Sequence, residues 1–216
     1  MKKIFRTILV STVLLVGILA LVGCKDQRKN LPEYSVGIIY STEYLEKSKI
    51  EYFDDNMKKV AEDFYSYGYM GHNGYRNAVE FDNVLYEAPQ GKAIEKDAGV
   101  IIGIDMSSGE VTEYELDRIN ITEFTCDKQY IYTTSNINGV NYVDRLKKED
   151  GSISSIEISD EYIPELVVDN GELYGFAMGV ADVDEGTIIS LYKFNFEENC
   201  VERLYNLTNT CKFRFN

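Results

Sequence analysis

The chain has 216 residues and is acidic, with 36 Asp and Glu against 22 Lys and Arg and a formal net charge of −14. This balance excludes nucleic acids as partners, because binding them requires clustered Lys and Arg side chains that displace counterions from phosphates. The 17 tyrosines and 10 phenylalanines are spread along the sequence, which excludes a disordered chain and predicts one sizeable hydrophobic core.

The N-terminus has the order of segments that is typical of an export signal. Lys2, Lys3 and Arg6 come first, and an uncharged apolar run over residues 8–22 follows. This order predicts a secretory signal peptide over residues 1–23, because the run falls short of the roughly 20 residues that a membrane-spanning helix needs. An uncleaved N-terminal membrane anchor is the alternative, and both interpretations place the rest of the chain outside the cytoplasm.

The signal ends in Leu-Val-Gly-Cys at residues 21–24, and this stretch resembles the lipobox of bacterial lipoproteins. The resemblance implies cleavage after Gly23 and transfer of a diacylglyceryl group to the sulfur of Cys24. The lipid on Cys24 would then hold the chain on the outer face of the cell membrane, because two acyl chains give stable attachment. Residues 24–33 are expected to form a lipidated polar tether, and residues 34–216 the folded domain.

A weak internal repeat follows the tether. Short apolar pairs precede three of four tyrosines that lie 46, 46 and 42 residues apart, and Glu172-Leu173 precedes the fourth. These tyrosines are Tyr40, Tyr86, Tyr132 and Tyr174. The pairs are rich in Ile, Val and Leu, which predicts a strand at each tyrosine.

Each of these strands is followed by a second pattern, in which a strand end, a polar turn and a new strand succeed one another. Gly109, Gly151 and Asn199 stand where a tight turn needs a left-handed backbone, which glycine and asparagine adopt most easily. Lys58 occupies this position in the first turn, which predicts a different geometry there.

A further strand is predicted before every tyrosine except the first, over residues 77–81, 121–126 and 163–168. The unit is therefore four strands in about 45 residues, the size of one β-propeller blade. The predicted fold class is all-β, with antiparallel four-stranded blades after a helical signal peptide. An antiparallel sandwich with regularly spaced hairpins is the alternative.

The hairpins at residues 103–111 and 191–197 resemble the outer hairpins of quinoprotein-like and WD40-like bacterial propellers. The resemblance covers residues 35–216 and implies an architecture. The outer-strand Trp of the quinoprotein type is absent, since the chain has no tryptophan, and no cofactor is expected.

The first predicted blade lacks its innermost strand, and residues 210–216 alternate like the strands before the other tyrosines. This segment would either supply the missing strand and close a four-bladed ring, or begin a fifth blade of a larger propeller. Four blades lie at the small end of the known range, which favours the larger propeller.

The longest predicted connection between blades, residues 61–76, carries the candidate ligand site. Tyr65, Tyr67, Tyr69 and Tyr75 alternate with small and polar residues there, and His72 is the only histidine of the chain. Aromatic rings with hydrogen-bonding tips suit a glycan or a peptide. The alternative is a strand pair whose tyrosines cover the rim.

Asp182 and Asp184 begin a stretch that partly matches a calcium loop, although the glycine comes one position early and no closing Glu follows. They are the candidate metal ligands, and a solvated hairpin loop is the alternative.

Three cysteines remain after Cys24. Cys126, Cys200 and Cys211 are expected to be buried free thiols, since an odd count argues against a complete disulfide framework. A disulfide between Cys200 and Cys211 is the alternative.

No hydrolase or phosphate-binding motif occurs, and no catalytic residue is assigned. The predicted function is a lipid-anchored extracytoplasmic propeller module that is not an enzyme and that contacts an envelope protein or a glycan. The first alternative is an enzyme that acts on glycans or peptides through acidic residues. The second is a solute receptor for a transporter, which the short chain and the missing βα units disfavour.

Overall fold

A computed structural model describes residues 30–41, 47–71, 77–89, 91–92, 99–159, 161–180 and 187–206. The chain divides into two units, Met1–Asn30 and Leu31–Asn216, and every described strand lies in the second. The described residues contain no α-helix. Among them, no segment forms a helix long and apolar enough to cross a membrane. Gly23 and Cys24 lie outside the described residues.

Seventeen strands form the described part of the chain. They are β1 (Val36–Tyr40), β2 (Ser48–Phe53), β3 (Lys59–Tyr65), β4 (Tyr67–Gly68), β5 (Val79–Phe81), β6 (Val84–Glu87), β7 (Gly91–Lys92), β8 (Val100–Asp105), β9 (Val111–Glu115), β10 (Ile121–Cys126), β11 (Tyr130–Ile137), β12 (Val140–Lys147), β13 (Ile153–Ile158), β14 (Glu161–Asp169), β15 (Glu172–Val180), β16 (Thr187–Asn195) and β17 (Cys200–Asn206).

The strands form four main sheets in chain order. Sheet 1 is β1-β2-β3, sheet 2 is β5-β6-β8-β9, sheet 3 is β10-β11-β12-β13 and sheet 4 is β14-β15-β16-β17, while β4 and β7 form a separate pair. Every pairing is antiparallel. The all-β class and the four-stranded antiparallel sheets are therefore confirmed, and sheet 1 has one strand fewer than the others.

The turns within the sheets follow the predicted chemistry. Gly109, Gly151 and Asn199 have φ angles of +73°, +71° and +49°, which lie in the left-handed region. In the first turn the left-handed residue is Met57, with φ +58°, rather than Lys58. The different geometry expected for this turn is thus confirmed, and it places a long side chain where glycine fits best.

The tyrosine repeat holds for three sheets and fails in the first. Tyr86, Tyr132 and Tyr174 pair with Gly103, Arg145 and Lys193, which lie two residues before Asp105, Lys147 and Asn195, the residues from which the following turns start. In sheet 1 the matching position is Tyr52, and its partner is Gly37, whereas Tyr40 pairs with Lys49. Tyr40 is therefore displaced by three residues, and an odd displacement moves a side chain to the opposite face.

Successive sheets pack on each other through apolar faces. Ile50 of sheet 1 and Ile102 of sheet 2 belong to one buried cluster, and two further clusters join sheet 2 to sheet 3 and sheet 3 to sheet 4. The first strands of neighbouring sheets also touch, since β10 contacts both β5 and β14. This arrangement is compatible with blades. Within the described strands, no apolar cluster joins sheet 4 to sheet 1.

The two ends of each sheet differ in their connections. One end has the short turns, such as 127–129 and 148–152 in sheet 3. The other end has the hairpin turn at 138–139 and the crossovers between sheets, such as 116–120 and 66–78. Residues 66–71 of the predicted ligand segment therefore lie at the crossover end of sheet 1.

Candidate functional site

The tyrosines of the predicted ligand segment fall into two groups. Tyr65 and Tyr67 are buried in the cluster between sheets 1 and 2. The Tyr65 hydroxyl lies 3.2 Å from the Tyr52 hydroxyl, and the Tyr67 hydroxyl donates to the Glu113 carboxylate. Burial raises the pKa of both Tyr65 and Tyr67. The structure thus uses these two side chains in packing between sheets.

Tyr69 differs from these two, because its side chain is exposed and its φ angle is +52°. His72 and Tyr75 lie outside the described residues. Of the three described tyrosines, two are thus used in packing and one is exposed, and ligand binding by this segment stays a prediction.

The predicted metal ligands Asp182 and Asp184 also lie outside the described residues. Within the described ranges, no three His, Cys, Asp or Glu side chains form a group that could hold a metal ion.

The described cysteines do not share one environment. Cys126 is buried and free, as predicted, and burial raises the pKa of its thiol to about 11. Cys200 is free but exposed, so the prediction of burial is wrong there, because it begins β17 directly after the exposed turn residues 197–199. Cys211 lies outside the described residues.

A polar cluster that the sequence analysis missed lies between sheets 2 and 3. The Lys148 Nζ donates to the Tyr86 hydroxyl at 2.8 Å and to the Asp127 carbonyl oxygen at 2.6 Å. The same ammonium lies 4.1 Å from the centre of the Tyr86 ring, a cation–π contact. Burial lowers the pKa of Lys148. In the sequence Lys148 lies in a polar turn, where a solvent-exposed lysine is expected. No sequence pattern therefore predicts its burial.

A cavity of about 520 Å³ lies beside this cluster. Its lining residues are Lys128, Gln129, Tyr130, Lys147, Lys148 and Glu149. The cavity is not strongly cationic, because Lys147 pairs with Glu149 and Asp150, while Lys148 is engaged with sheet 2. The Lys148 cluster therefore joins two sheets, and its geometry does not indicate a reactive centre.

Sheet 4 presents the surface with the clearest binding character. We call the face of a sheet that looks toward the preceding sheet its back face, and the opposite face its front face. The back face of sheet 4 is covered by sheet 3, and its front face is open. The apolar side chains of the front face are Tyr162, Val167, Tyr174, Phe176, Met178, Ile189, Leu191 and Tyr205.

Five of these eight side chains are exposed, whereas Tyr174, Ile189 and Leu191 are half-buried. Phe176 is 37% exposed, Met178 40%, Val167 45% and Tyr205 66%. They lie on neighbouring strands, since Met178 pairs with both Tyr162 and Ile189, and Leu191 pairs with both Phe176 and Tyr205. A contiguous exposed apolar patch of this kind marks an interaction surface in a soluble domain.

Strand pairing identifies the positions of sheet 3 that correspond to the open front face of sheet 4. Tyr174 and Leu191 of sheet 4 match Tyr132 and Val143 of sheet 3. Tyr132 is 3% exposed and Val143 is fully buried, because both lie in the cluster that joins sheet 3 to sheet 4. The front face of sheet 4 thus has the composition of a face that is covered by a sheet elsewhere in the chain.

The back face of sheet 1 is the other open face. Its apolar side chains are Val36, Ile38, Tyr40, Phe53 and Phe64. Ion pairs lie among them, since Lys59 contacts both Glu51 and Glu62, and Lys49 contacts Glu51. The front face of sheet 4 also bears an ion pair, between Lys193 and Glu172, so both open faces combine apolar side chains with charges.

Comparison of the chain with known proteins identifies no family and one weak structural similarity. No family model and no curated protein matches the chain. Among solved structures, the chain is similar to the crystal structure of cobalt-substituted ACO from Synechocystis, with 10% identity and a TM-score of 0.49. The match covers 83% of this chain and 48% of that chain, so the chain spans about half the length of the structure that it matches.

Proposed function

We propose that this chain is a lipid-anchored interaction module on the outer face of a bacterial membrane, and that sheets 1 to 4 are propeller blades. The proposal assigns the lipid to Cys24 and the binding surface to the front face of sheet 4. The lipid anchor is supported by the lipobox at residues 21–24. The blades are supported by the four successive antiparallel sheets.

The observation that carries the binding role is the open apolar face of sheet 4. Leaving Phe176, Met178 and Tyr205 in water forgoes about 25 cal/mol for each Å² of apolar surface that a partner would cover. Scattered single apolar residues need no explanation, but these share one face with Ile189 and Leu191. A protein partner fits this surface, because adjoining apolar side chains are typical of the centre of a protein–protein interface.

Partitioning of the chain between membrane and soluble fractions tests the anchor. The Cys24→Ala variant should move from the membrane fraction to the soluble fraction or accumulate unprocessed. Cys200→Ala, which removes an exposed thiol far from the signal, serves as the matched control. Unchanged membrane attachment of Cys24→Ala would reject the lipid anchor.

Photo-crosslinking in intact cells tests the surface. A photoreactive phenylalanine analogue at position 176 should give a discrete adduct. The same analogue at Ile119, which is 52% exposed on the crossover 116–120, should give none. If neither position gives an adduct, the front face of sheet 4 is not a binding surface.

The enzyme and the solute receptor considered from the sequence stay predictions, since no described feature favours either. The pairing of residues 210–216 with β1 also stays a prediction, because this segment lies outside the described residues.

A further inference from the structure

We infer that the front face of sheet 4 binds the back face of sheet 1 in a second copy of this chain. The inference rests on the proposed function, since it names the partner of the same surface. It would make the chain half of a symmetric ring of eight sheets.

The first step is the kind of surface that fits. The front faces of sheets 1, 2 and 3 are each covered by the back face of the next sheet, through clusters that include Ile50, Ile101 and Val143. The front face of sheet 4 continues this series with matching positions at Tyr174 and Leu191. The partner that these positions fit is therefore the back face of another antiparallel sheet.

The second step is that the chain itself offers such a back face. Val36, Tyr40 and Phe64 of sheet 1 are 40%, 41% and 63% exposed. The described strands show no cluster between sheet 1 and sheet 4, so both faces of one copy remain open to another. Sheet 4 of each copy can cover sheet 1 of the other.

The third step is symmetry. When identical chains associate through two different faces, they form an open filament unless a rotation closes the assembly into a ring. A two-fold axis closes it after two copies, because each front face then meets the other copy's back face. The resulting ring has eight sheets, which lies within the range of four to eight blades. Such an axis also keeps Leu31 of both copies on the same side of the ring, as two lipid anchors in one bilayer require.

The fourth step is size. With a rise of about 3.3 Å per residue and a strand spacing of about 4.8 Å, sheet 1 covers roughly 300 Å². Two contacts with two faces each then give about 1,200 Å², the lower bound of stable interfaces. The net charge of −14 per copy opposes association, so added salt should strengthen it.

The experiment uses full-length anchored protein in intact cells, with two copies of the chain that bear different tags. One copy contains the photoreactive analogue at position 176. We expect an adduct of twice the chain mass that contains both tags. Placing Phe64→Glu in the other copy should reduce this adduct at least about tenfold, because a carboxylate would enter an apolar contact. Ile119→Glu in the other copy is the matched control and should leave the adduct unchanged.

Tyr40→Glu repeats the test at a second position of the same face. Circular dichroism of the purified variants verifies that they are folded. An adduct with both tags that neither variant reduces would overturn the inference. An adduct with a different protein would overturn it and leave the proposed function intact, whereas the absence of any adduct would overturn both.

Discussion

The front faces of sheets 3 and 4 hold corresponding positions in consecutive sheets, yet one is covered and the other is open. Tyr132 and Val143 are buried by sheet 4, while Tyr174 and Leu191 have no sheet in front of them among the described residues. The strand pattern is the same in both sheets, so the difference comes from what packs on the face. The apolar pattern that persists on the open face of sheet 4 is the observation on which the proposed binding role rests.

The largest expected effect is on alkaline unfolding, to which the buried tyrosines between sheets should contribute and the tyrosines of the open face should not. Burial raises the pKa of Tyr132 and of other tyrosines between the sheets, including Tyr65 and Tyr86. The folded state therefore keeps phenolic protons that the unfolded state loses above about pH 10. Their contribution to stability is complete below that pH and is lost as the pH rises further, so alkaline unfolding should be cooperative.

Tyrosinate absorbance and circular dichroism, followed together against pH, measure this transition. Tyr132→Phe should shift it to higher pH. Tyr174→Phe should change it far less, because the pKa of Tyr174 is raised chiefly by an exposed hydrogen bond to Glu172, which solvent screens. Native circular dichroism with every tyrosine ionised would contradict the prediction.

The next effect compares the same two positions by truncation. Tyr132→Ala should lower the free energy of unfolding by about 3–5 kcal/mol, because it opens a cavity between two sheets. It also removes a hydrogen bond from the Tyr132 hydroxyl to Asp127 Oδ2 at 3.1 Å. Tyr174→Ala should not measurably change the urea midpoint of the isolated copy. Equal losses at the two positions would show that the front face of sheet 4 is already covered within one chain.

A smaller effect is expected from two lysines. Lys148→Met should cost about 1–3 kcal/mol, because the buried Tyr86 hydroxyl and Asp127 carbonyl oxygen lose their donor. Lys193→Met, which removes an ion pair with Glu172 from the open face, should leave the stability unchanged. Chemical denaturation measures both variants, and a Lys148→Met variant as stable as the natural chain would reject the cluster as a link between sheets.

The smallest effect concerns an ion pair across a covered contact. Arg145 of sheet 3 pairs with Glu197 of the last turn of sheet 4 and lies over the Phe196 ring. Because the Glu197 side chain is 81% exposed, Glu197→Gln should cost at most about 1 kcal/mol, and less at high salt. A salt-independent loss in thermal melts would contradict a solvent-screened pair.

The sequence predicted the strands and turns because these depend on local chemistry. Gly109, Gly151 and Asn199 were found from the backbone conformation that their turns require. The register of Tyr40 was missed, because a pattern of apolar pairs does not show where a strand begins to pair. The burial of Tyr65 was missed because alternation does not indicate which side another sheet will cover.

The candidate surface was beyond sequence reasoning for a related reason. Residues 172–180 and 187–195 are apolar on both faces, and only the packing of sheet 3 distinguishes the covered face from the open one. Lys148 was missed because its partners, Tyr86 and Asp127, become neighbours through contact between two sheets.

The two ends of each sheet should differ in how well they tolerate insertions during evolution. The turn 148–152 relies on the left-handed backbone of Gly151, so an inserted residue there would shift a whole strand. The crossover end already has connections as different in length as 138–139 and 66–78. New recognition loops can therefore be acquired in the crossovers at that end while the strands stay as they are.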